Sequence, residues 1–218
     1  MARRCAFLTQ YQNAALATRY QQLVQRVAQA QAEKGCDETL ARAVAESYFK
    51  LLAAKDAFEV ARLYSAPQFR ADLQRQFEGD YRLHFHLGLW PFARRDGAGQ
   101  VRKAEVGPWM MPVFRLLAGL RGWRNTWADP LRHTAERVLE RRLLAQFEAD
   151  VARLIEGQSA QRQASAVALA ALPQTVRGFG HVKQLNADKA ALARTALWLQ
   201  WEQAGAVIYD RQDTQTAG

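Results

Sequence analysis

The chain has little cysteine and no long apolar run. Its 218 residues include only two cysteines, Cys5 and Cys36. Two thiols cannot supply a four-cysteine iron–sulfur cluster or a paired C-x2-C zinc site, and a reducing compartment disfavours a disulfide between them. No apolar segment approaches the roughly 20 residues that cross a bilayer. The most apolar one, PWMMPVFRLLAGL, contains Arg115. These absences favour a cytoplasmic protein that does not enter a membrane.

The sequence also lacks the common catalytic motifs. It contains no Walker A loop, no G-x-S-x-G and no H-E-x-x-H. A thiamine diphosphate site would need G-D-G, and Gly79-Asp80 is followed by tyrosine. Glu136 and Glu140 lie four residues apart beside arginines, a pattern typical of solvated ion pairs rather than of an acid/base pair. We therefore predict no catalytic residue in this chain.

A metal site is not predicted either. His84 and His86 lie two residues apart on an alternating segment, so both project from the same polar face. Two imidazoles can bind one metal ion, but a site needs a third ligand, and the sequence offers none at a recognisable spacing. We expect two histidines that make ordinary hydrogen bonds.

Most of the chain has the periodicity of helices. Leu16, Tyr20, Leu23 and Val27 share one helical face, and Gly35 ends that helix. A second helix is predicted over residues 37–64, and a third begins at Pro67. In YRLHFHLGLW the apolar residues alternate instead, and Asp96-Gly97 is a turn signal. We therefore predict a β-hairpin over residues 81–106.

Helices return after the hairpin. Asp129-Pro130 predicts the start of a long helix that ends at Gly157, and Ser159 is a candidate cap for the next one. In the last helix, the predicted buried side consists of Leu185, Leu192, Ala196 and Leu199. The fold class expected is mainly α with a small inserted β-hairpin (α+β), a bundle-like single domain over residues 1–210, followed by a disordered tail over 211–218.

Positive charge and tryptophan are concentrated in one span. The chain carries a net charge of +9, and residues 82–142 hold 12 Lys/Arg against 5 Asp/Glu, together with four of the six tryptophans. Arg and Trp are enriched at protein–protein hot spots, so we predict that this span forms a docking face. The candidate interface residues are Trp90, Arg94, Arg95, Trp109, Trp123, Arg124 and Trp127.

The stretch VRGFGHVKQLN is a second candidate site. Its glycines allow a sharp turn before the last helix, where backbone amides and added positive charge would favour an anion. The alternative is a helix–helix corner in which Phe179 fills the core, and spacing alone favours that alternative. The candidate anion contacts are Arg177, Gly178, Gly180, His181 and Lys183.

Five separated blocks resemble one family. They are FLTQYQNAALATRYQQLV, VAESYFKLLAAKDAFEVARLY, QFEGDYRLHFHL, VGPWMMPVFRLLAGLRG and LPQTVRGFGHVKQLN. In the same order, these blocks resemble the C-terminal helical domain of indolepyruvate ferredoxin oxidoreductase, from about Cys5 to Leu199. Enzymes of that family are 2-oxoacid:ferredoxin oxidoreductases that decarboxylate arylpyruvates oxidatively to acyl-coenzyme A thioesters.

The resemblance implies an accessory role. The family uses thiamine diphosphate, 4Fe-4S clusters and coenzyme A, and binds the first two in domains that this sequence does not match. It therefore implies a non-catalytic domain or subunit without cofactors of its own, whose partners are the catalytic domains or subunits. A homo-oligomer is also allowed. For the stretch VRGFGHVKQLN, residues 176–186 and called the glycine corner below, the resemblance leaves two mechanisms open. One is contact with coenzyme A, and the other is locking of the last helix against the catalytic body.

Two other classes of function stay open at this point. The charge of +9 would suit a basic nucleic-acid-binding module, although no nucleic-acid motif is present and nucleic acid is disfavoured as a partner. A helical domain can also bind a small ligand on its own. A steep dependence of nucleic-acid affinity on salt would favour the first alternative, and an apolar ligand that co-purifies would favour the second.

Overall fold

The computed structural model describes residues 1–88, 94–95, 101–102 and 104–216; for 94–95, 101–102 and 207–216 it describes the backbone only. The structure is 73% helical with a small antiparallel hairpin, which confirms the predicted fold class. The sequence predicted one domain, whereas the chain divides into two compact units, Met1–Ala54 with Pro130–Gly218 and Lys55–Asp129. Each unit has a hydrophobic core of its own.

In chain order the helices are α1 (Ala2–Tyr11), α2 (Ala14–Glu33), α3 (Thr39–Leu52), α4 (Ala57–Ser65), α5 (Pro67–Gln76), α6 (Met110–Gly119), α7 (Ala135–Glu156), α8 (Gln163–Ala171) and α9 (Gly180–Thr216). Short 3-10 turns follow α6 at Leu120–Trp123 and α8 at Leu172–Thr175. The strands are β1 (Phe85–Leu87), β2 (Arg94–Arg95), β3 (Val101–Arg102) and β4 (Ala104–Val106). Among the described residues, no helix is long and apolar enough to cross a membrane.

Helices α2 and α3 form the predicted helical hairpin. Asn13 caps α2 by accepting a hydrogen bond from the Leu16 amide at 2.9 Å, and Gly35 adopts a φ of +63° just after the helix ends. The buried Gln31 side chain joins the two helices, because its Oε1 accepts from the Ala41 amide at 2.8 Å. Tyr20 on the predicted face is fully buried, so the periodicity located this face correctly.

The second predicted helix is in fact two helices. Helix α3 ends at Leu52 and α4 begins after Asp56, so the prediction of one helix over 37–64 was wrong. The physical reason is a cap. The Asp56 carboxylate accepts a hydrogen bond from the Glu59 amide at 2.7 Å, and the extended backbone of Asp56 cannot continue a helix. Helix α5 begins at Pro67, as predicted.

The core of the larger unit is aromatic at its centre. Tyr48 stacks between Tyr20 and Phe147, with ring centroids 6.0 and 5.9 Å apart. The buried Tyr20 hydroxyl donates to the Ala45 carbonyl at 3.1 Å, and the Tyr48 hydroxyl donates to the Glu148 carboxylate. Burial and the Glu148 carboxylate raise the pKa of Tyr48. These bonds satisfy polar groups that would otherwise be costly to bury.

The smaller unit contains the predicted hairpin. Strand β1 pairs antiparallel with β4, Phe85 opposite Val106, and β2 pairs with β3. Phe85 and Leu87 are buried and His86 between them is exposed, as the alternating pattern predicts. The predicted turn at residues 96–97 lies outside the described residues. Tyr64 packs against Phe85 at 5.0 Å between ring centroids, so the hairpin shares a core with α4.

Two predicted helix starts were wrong. Helix α7 begins after Thr134, whose hydroxyl accepts from the Arg137 amide, and not at Asp129-Pro130. The Asp129 carboxylate instead accepts from the Asn125 amide within the preceding loop at 2.9 Å. Helix α8 begins at Gln163 rather than after Ser159. Thr134, and not Asp129, caps α7, whereas α8 has no side-chain cap.

The last helix faces the other way from the prediction. Leu185, Leu192, Ala196 and Leu199, which were predicted to be buried, are all exposed. The buried side of α9 is formed by Ala187, Trp198 and Trp201. Helix α9 is described to Thr216. The disordered tail over 211–218 stays a prediction.

Candidate functional site

The glycine corner lies between the 3-10 turn after α8 and the start of α9. Gly178 and Gly180 adopt φ values of +95° and +55°, a backbone conformation that favours glycine. A Cβ atom at position 178 would also lie 2.7 Å from Val182 Cγ1. Val176 is buried at this corner, whereas Phe179 is 64% exposed. The expectation that Phe179 fills the core was therefore wrong.

Hydrogen bonds fix the corner within the larger unit. The Lys50 ammonium on α3 donates to the carbonyls of Pro173 at 2.8 Å and Gln174 at 3.0 Å. Asn186 on α9 donates from its side-chain amide to the Arg177 carbonyl at 2.9 Å. Burial, helped by the charges of Arg177 and Lys183, lowers the pKa of Lys50. The corner is thus tied to the helices on both sides.

The three basic side chains of the corner are placed differently. Lys183 is only 16% exposed in its side chain, and its ammonium binds Glu140 at 2.6 Å and Glu136 at 3.4 Å. Arg177 is exposed and donates to the Gln174 carbonyl, and His181 is exposed. An anion at this corner would therefore meet Arg177 and His181, while the Lys183 charge is already balanced. The coenzyme A contact stays a prediction.

Glu140 is a residue whose role the sequence did not reveal. Its carboxylate is mostly buried and binds Arg137 at 3.0 Å as well as Lys183. The sequence suggested a solvated ion pair because only residues on the same helix are visible at four-residue spacing. The cross-helix partner on α9 is 43 residues away in the chain. No local pattern could have found this pair.

A shallow cleft lies beside the corner. It contains about 470 Å³ of space, part of it open to solvent. Its lining is mostly apolar and includes Leu51, Phe147, Leu172, Val176 and Ala187. At its edge the Arg194 guanidinium donates to both carboxylate oxygens of Asp150, and this hydrogen bonding raises the pKa of Arg194. The charged residues of its lining, Asp150 and Arg194, are paired with each other, so neither offers a free charge to a ligand.

The histidines of the hairpin face solvent. The His84 ring lies 2.7 Å through Nδ1 from a Glu105 carboxylate oxygen, and both side chains are exposed. Across residues 1–88 and the described parts that follow, no group of three or more His, Cys, Asp or Glu side chains could hold a metal ion. The two cysteines are free thiols.

The predicted docking face, residues 82–142, is divided between the two units, and its seven candidate interface residues all belong to the smaller one. Trp109, Trp123 and Trp127 are all exposed, Trp127 at 89%. Arg124 is 1% exposed, so it does not lie on the surface as predicted. Trp90 lies outside the described residues, and only the backbone of Arg94 and Arg95, on β2, is described.

Arg124 instead forms the base of the tryptophan loop, residues 123–129. Its guanidinium donates to both carboxylate oxygens of Asp56, at 2.6 and 3.0 Å, and lies 5.5 Å from the centre of the Phe58 ring. Such a bidentate pair fixes position as well as charge. Asp56 also caps α4, so one carboxylate joins the start of that helix to the tryptophan loop. The loop is therefore built on the core of its own unit.

The loop is closed at its other end by Asp129. This buried carboxylate accepts from the Asn125 amide at 2.9 Å, and Asn125 adopts a φ of +63°. The Thr126 amide and hydroxyl both donate to the Trp123 carbonyl. The loop thus turns tightly between two buried charged residues and presents Trp127 to solvent. A D-x-x-E signal at residues 56–59 was available in the sequence, but the pairing with Arg124 was not.

Residues 1–196 match DUF6537, a family of unknown function. The chain belongs to this family. The match extends through both compact units and ends within α9. No curated protein and no solved structure matches the chain.

Proposed function

We propose that this DUF6537 chain is a non-catalytic accessory domain or subunit that docks on the catalytic body of an enzyme like indolepyruvate ferredoxin oxidoreductase, in the cytoplasm. In this proposal the catalytic body holds thiamine diphosphate and 4Fe-4S clusters and transfers the acyl group to coenzyme A. The class of partner comes from the five sequence blocks described above. The docking role rests on one structural observation, the exposed Trp127 on a loop with two buried ends.

Covering the exposed Trp127 with a partner would be favourable. A tryptophan can bury roughly 150–250 Å² on association, which at about 25 cal/mol per Å² corresponds to several kcal/mol of binding free energy. Tryptophan is also among the residues most enriched at interface hot spots. Trp109 and Trp123 are also exposed in the same unit.

The rigidity of the loop supports the same role. A flexible loop would lose conformational freedom on binding, and this loss would offset part of the gain. The Arg124–Asp56 pair and the Asp129–Asn125 bond hold the loop before any partner arrives. Binding then loses little conformational entropy beyond the side chain of Trp127 itself.

The charge of the span indicates the chemistry of the partner. Within the smaller unit, residues 82–129 hold 8 Lys/Arg against 3 Asp/Glu. Among them Arg124 is buried, whereas Arg115 is exposed on α6, as is the apolar Leu116. A basic surface with exposed apolar residues fits an acidic surface with an apolar pocket. The catalytic body in this proposal therefore presents acidic residues around a pocket that accepts Trp127.

Affinity capture from native lysate tests the proposal. The tagged chain should retain a protein that contains thiamine diphosphate and iron–sulfur clusters and that reduces ferredoxin with an arylpyruvate and coenzyme A. Retention should weaken as salt is raised, because the complementary charges are screened. Capture of nucleic acid alone, released by salt, would instead support the nucleic-acid-binding alternative. Retention of no such enzyme would contradict the accessory role.

A further inference from the structure

Helix α9 carries an apolar stripe on the face that points away from its own core. Leu192 is 76% exposed, and Leu185 and Leu199 are exposed one heptad before and after it. At 100° per residue these three leucines lie roughly opposite Ala187 and Trp198, which are buried in the larger unit. Three exposed leucines in one row form an apolar patch, a feature typical of interaction sites.

The stripe continues in a heptad register. The residues at the a and d positions of this register are all exposed. Taking Leu185 as position d, the d positions are Leu185, Leu192, Leu199 and Ala206, and the a positions are Val182, Lys189, Ala196 and Gln203. Spacings that alternate between three and four residues, with leucine at d, are typical of one helix packing along another.

The sizes along the stripe are complementary to a second copy running in the opposite direction. In an antiparallel pair, position a of one helix meets position d of the other. Leu185 then meets Ala196 of the second copy, and Leu199 meets its Val182. Near the centre, Leu192 meets the aliphatic part of Lys189. Each leucine therefore meets a smaller or flexible side chain.

A parallel pair would be less favourable. It would place Lys189 beside its own copy, so two like charges would be opposed in the stripe. It would also place Ala196 against Ala196, which leaves a gap in that layer. The pattern of sizes and charges thus selects one direction.

The charges at the edge of the stripe agree with the antiparallel direction. At the g positions, which face each other in such a pair, His181 meets Glu202 of the second copy, and two-fold symmetry repeats this contact. Asp188 meets Thr195 of the second copy, so no like charges are opposed. His181 and Glu202 are both exposed; Glu202 also binds Arg153 of its own chain at 2.5 Å, so the second copy's His181 would share this carboxylate with Arg153.

We propose that the chain forms a two-fold symmetric homodimer through antiparallel pairing of α9, with its axis between Lys189 and Leu192. The paired segment from Val182 to Leu199 is about 26 Å long. Two single helices in contact over this length bury less than the roughly 1,200 Å² of a stable interface, so the dimer dissociates in the micromolar range.

Sedimentation equilibrium over a concentration series tests the pairing. The wild-type chain should shift from monomer to dimer. Leu192→Glu places a charge at the centre of the stripe and should raise the dimer dissociation constant about 100-fold. Val138→Glu is the matched control, because Val138 is an exposed apolar residue on α7. A wild-type chain that stays monomeric at all concentrations, or equal loss in both variants, would overturn the proposal.

Disulfide cross-linking tests the direction, in a background in which Cys5 and Cys36 are replaced by serine. Leu185→Cys with Ala196→Cys in the same chain should give a cross-linked dimer on mild oxidation, because these positions meet across the axis. Each single variant should stay uncross-linked. The two sites are 11 residues apart on one helix, about 16 Å, so they cannot bridge within one chain. Cross-linking of either single variant would overturn the antiparallel arrangement.

Discussion

The base of the tryptophan loop gives the sharpest prediction for stability. Arg124 and Asp56 are 1% and 7% exposed in their side chains and form a bidentate pair in the smaller unit. Arg124→Met keeps most of the side-chain volume and removes the guanidinium. The Asp56 carboxylate then loses its bidentate partner while it stays buried. Its bond to the Glu59 amide is retained, so the variant tests the pair and leaves the helix cap in place.

The expected magnitude follows from burial. Removing one partner of a buried ion pair costs about 3–5 kcal/mol, because the remaining charge is poorly solvated. Replacing both partners should cost less than the sum of the single changes. We therefore expect Asp56→Ala with Arg124→Met to show a coupling of at least about 2 kcal/mol, even though Asp56→Ala also removes a cap worth about 1 kcal/mol.

Urea unfolding followed by pulsed hydrogen exchange measures this effect. Peptides from residues 55–129 report the smaller unit separately from the rest of the chain. Arg75→Met is the matched control, since Arg75 pairs with Asp72 on the exposed surface of α5 in the same unit. That change should cost roughly 0–1 kcal/mol. A loss below about 1 kcal/mol for Arg124→Met would refute the assignment of Arg124 as the buried base of the loop.

The glycine corner gives three further predictions. Gly178→Ala should lower the free energy of unfolding by about 1–3 kcal/mol by calorimetry, because its φ is positive and a Cβ would crowd Val182; an unchanged melting temperature would contradict this backbone conformation. Lys183→Met should cost about 2 kcal/mol in urea unfolding, because the largely buried Glu140 loses its α9 partner, and a neutral result would mean that the pair is solvated. If the corner binds coenzyme A, Arg177→Ala should weaken that affinity about tenfold by titration calorimetry, and unchanged affinity would exclude an Arg177 contact.

The sequence predicted the elements that local patterns determine. The fold class, the α2–α3 hairpin, the start of α5 at Pro67 and the alternation in β1 all follow from periodicity, glycine and proline. The errors fall where two local signals compete. Asp56 interrupts a continuous helical pattern, and Thr134 caps α7 although Asp129-Pro130 is the stronger signal.

The face of α9 shows the limit of periodicity more clearly. The helix has apolar residues on two sides, Trp198 and Trp201 on one and the leucine stripe on the other. Periodicity identifies both sides and does not say which one packs on the core. The leucine stripe was predicted to lie in the core, whereas the structure buries the tryptophan side. The exposure of the leucine stripe is what led to the proposal that a second copy of the chain covers it.

The geometry of the candidate site depends on contacts between residues that are far apart in the sequence. Composition predicted exposed tryptophans within residues 82–142, and the three of them that the structure describes are exposed. Arg124 was grouped with them because its partner, Asp56, lies 68 residues away. For the same reason the balanced charge of Lys183 was not visible. Surface aromatics can be proposed from local sequence, whereas the state of a charge requires its three-dimensional partners.

The affinity of the tryptophan loop for the catalytic body tests the central claim most directly. The captured thiamine diphosphate and iron–sulfur protein is immobilised, and binding of Trp127→Ala is compared with Phe179→Ala, which removes an exposed aromatic from the glycine corner. We expect Trp127→Ala to raise the dissociation constant about 100-fold and Phe179→Ala to leave it unchanged. Wild-type affinity in Trp127→Ala, with the loss in Phe179→Ala instead, would contradict docking through the tryptophan loop.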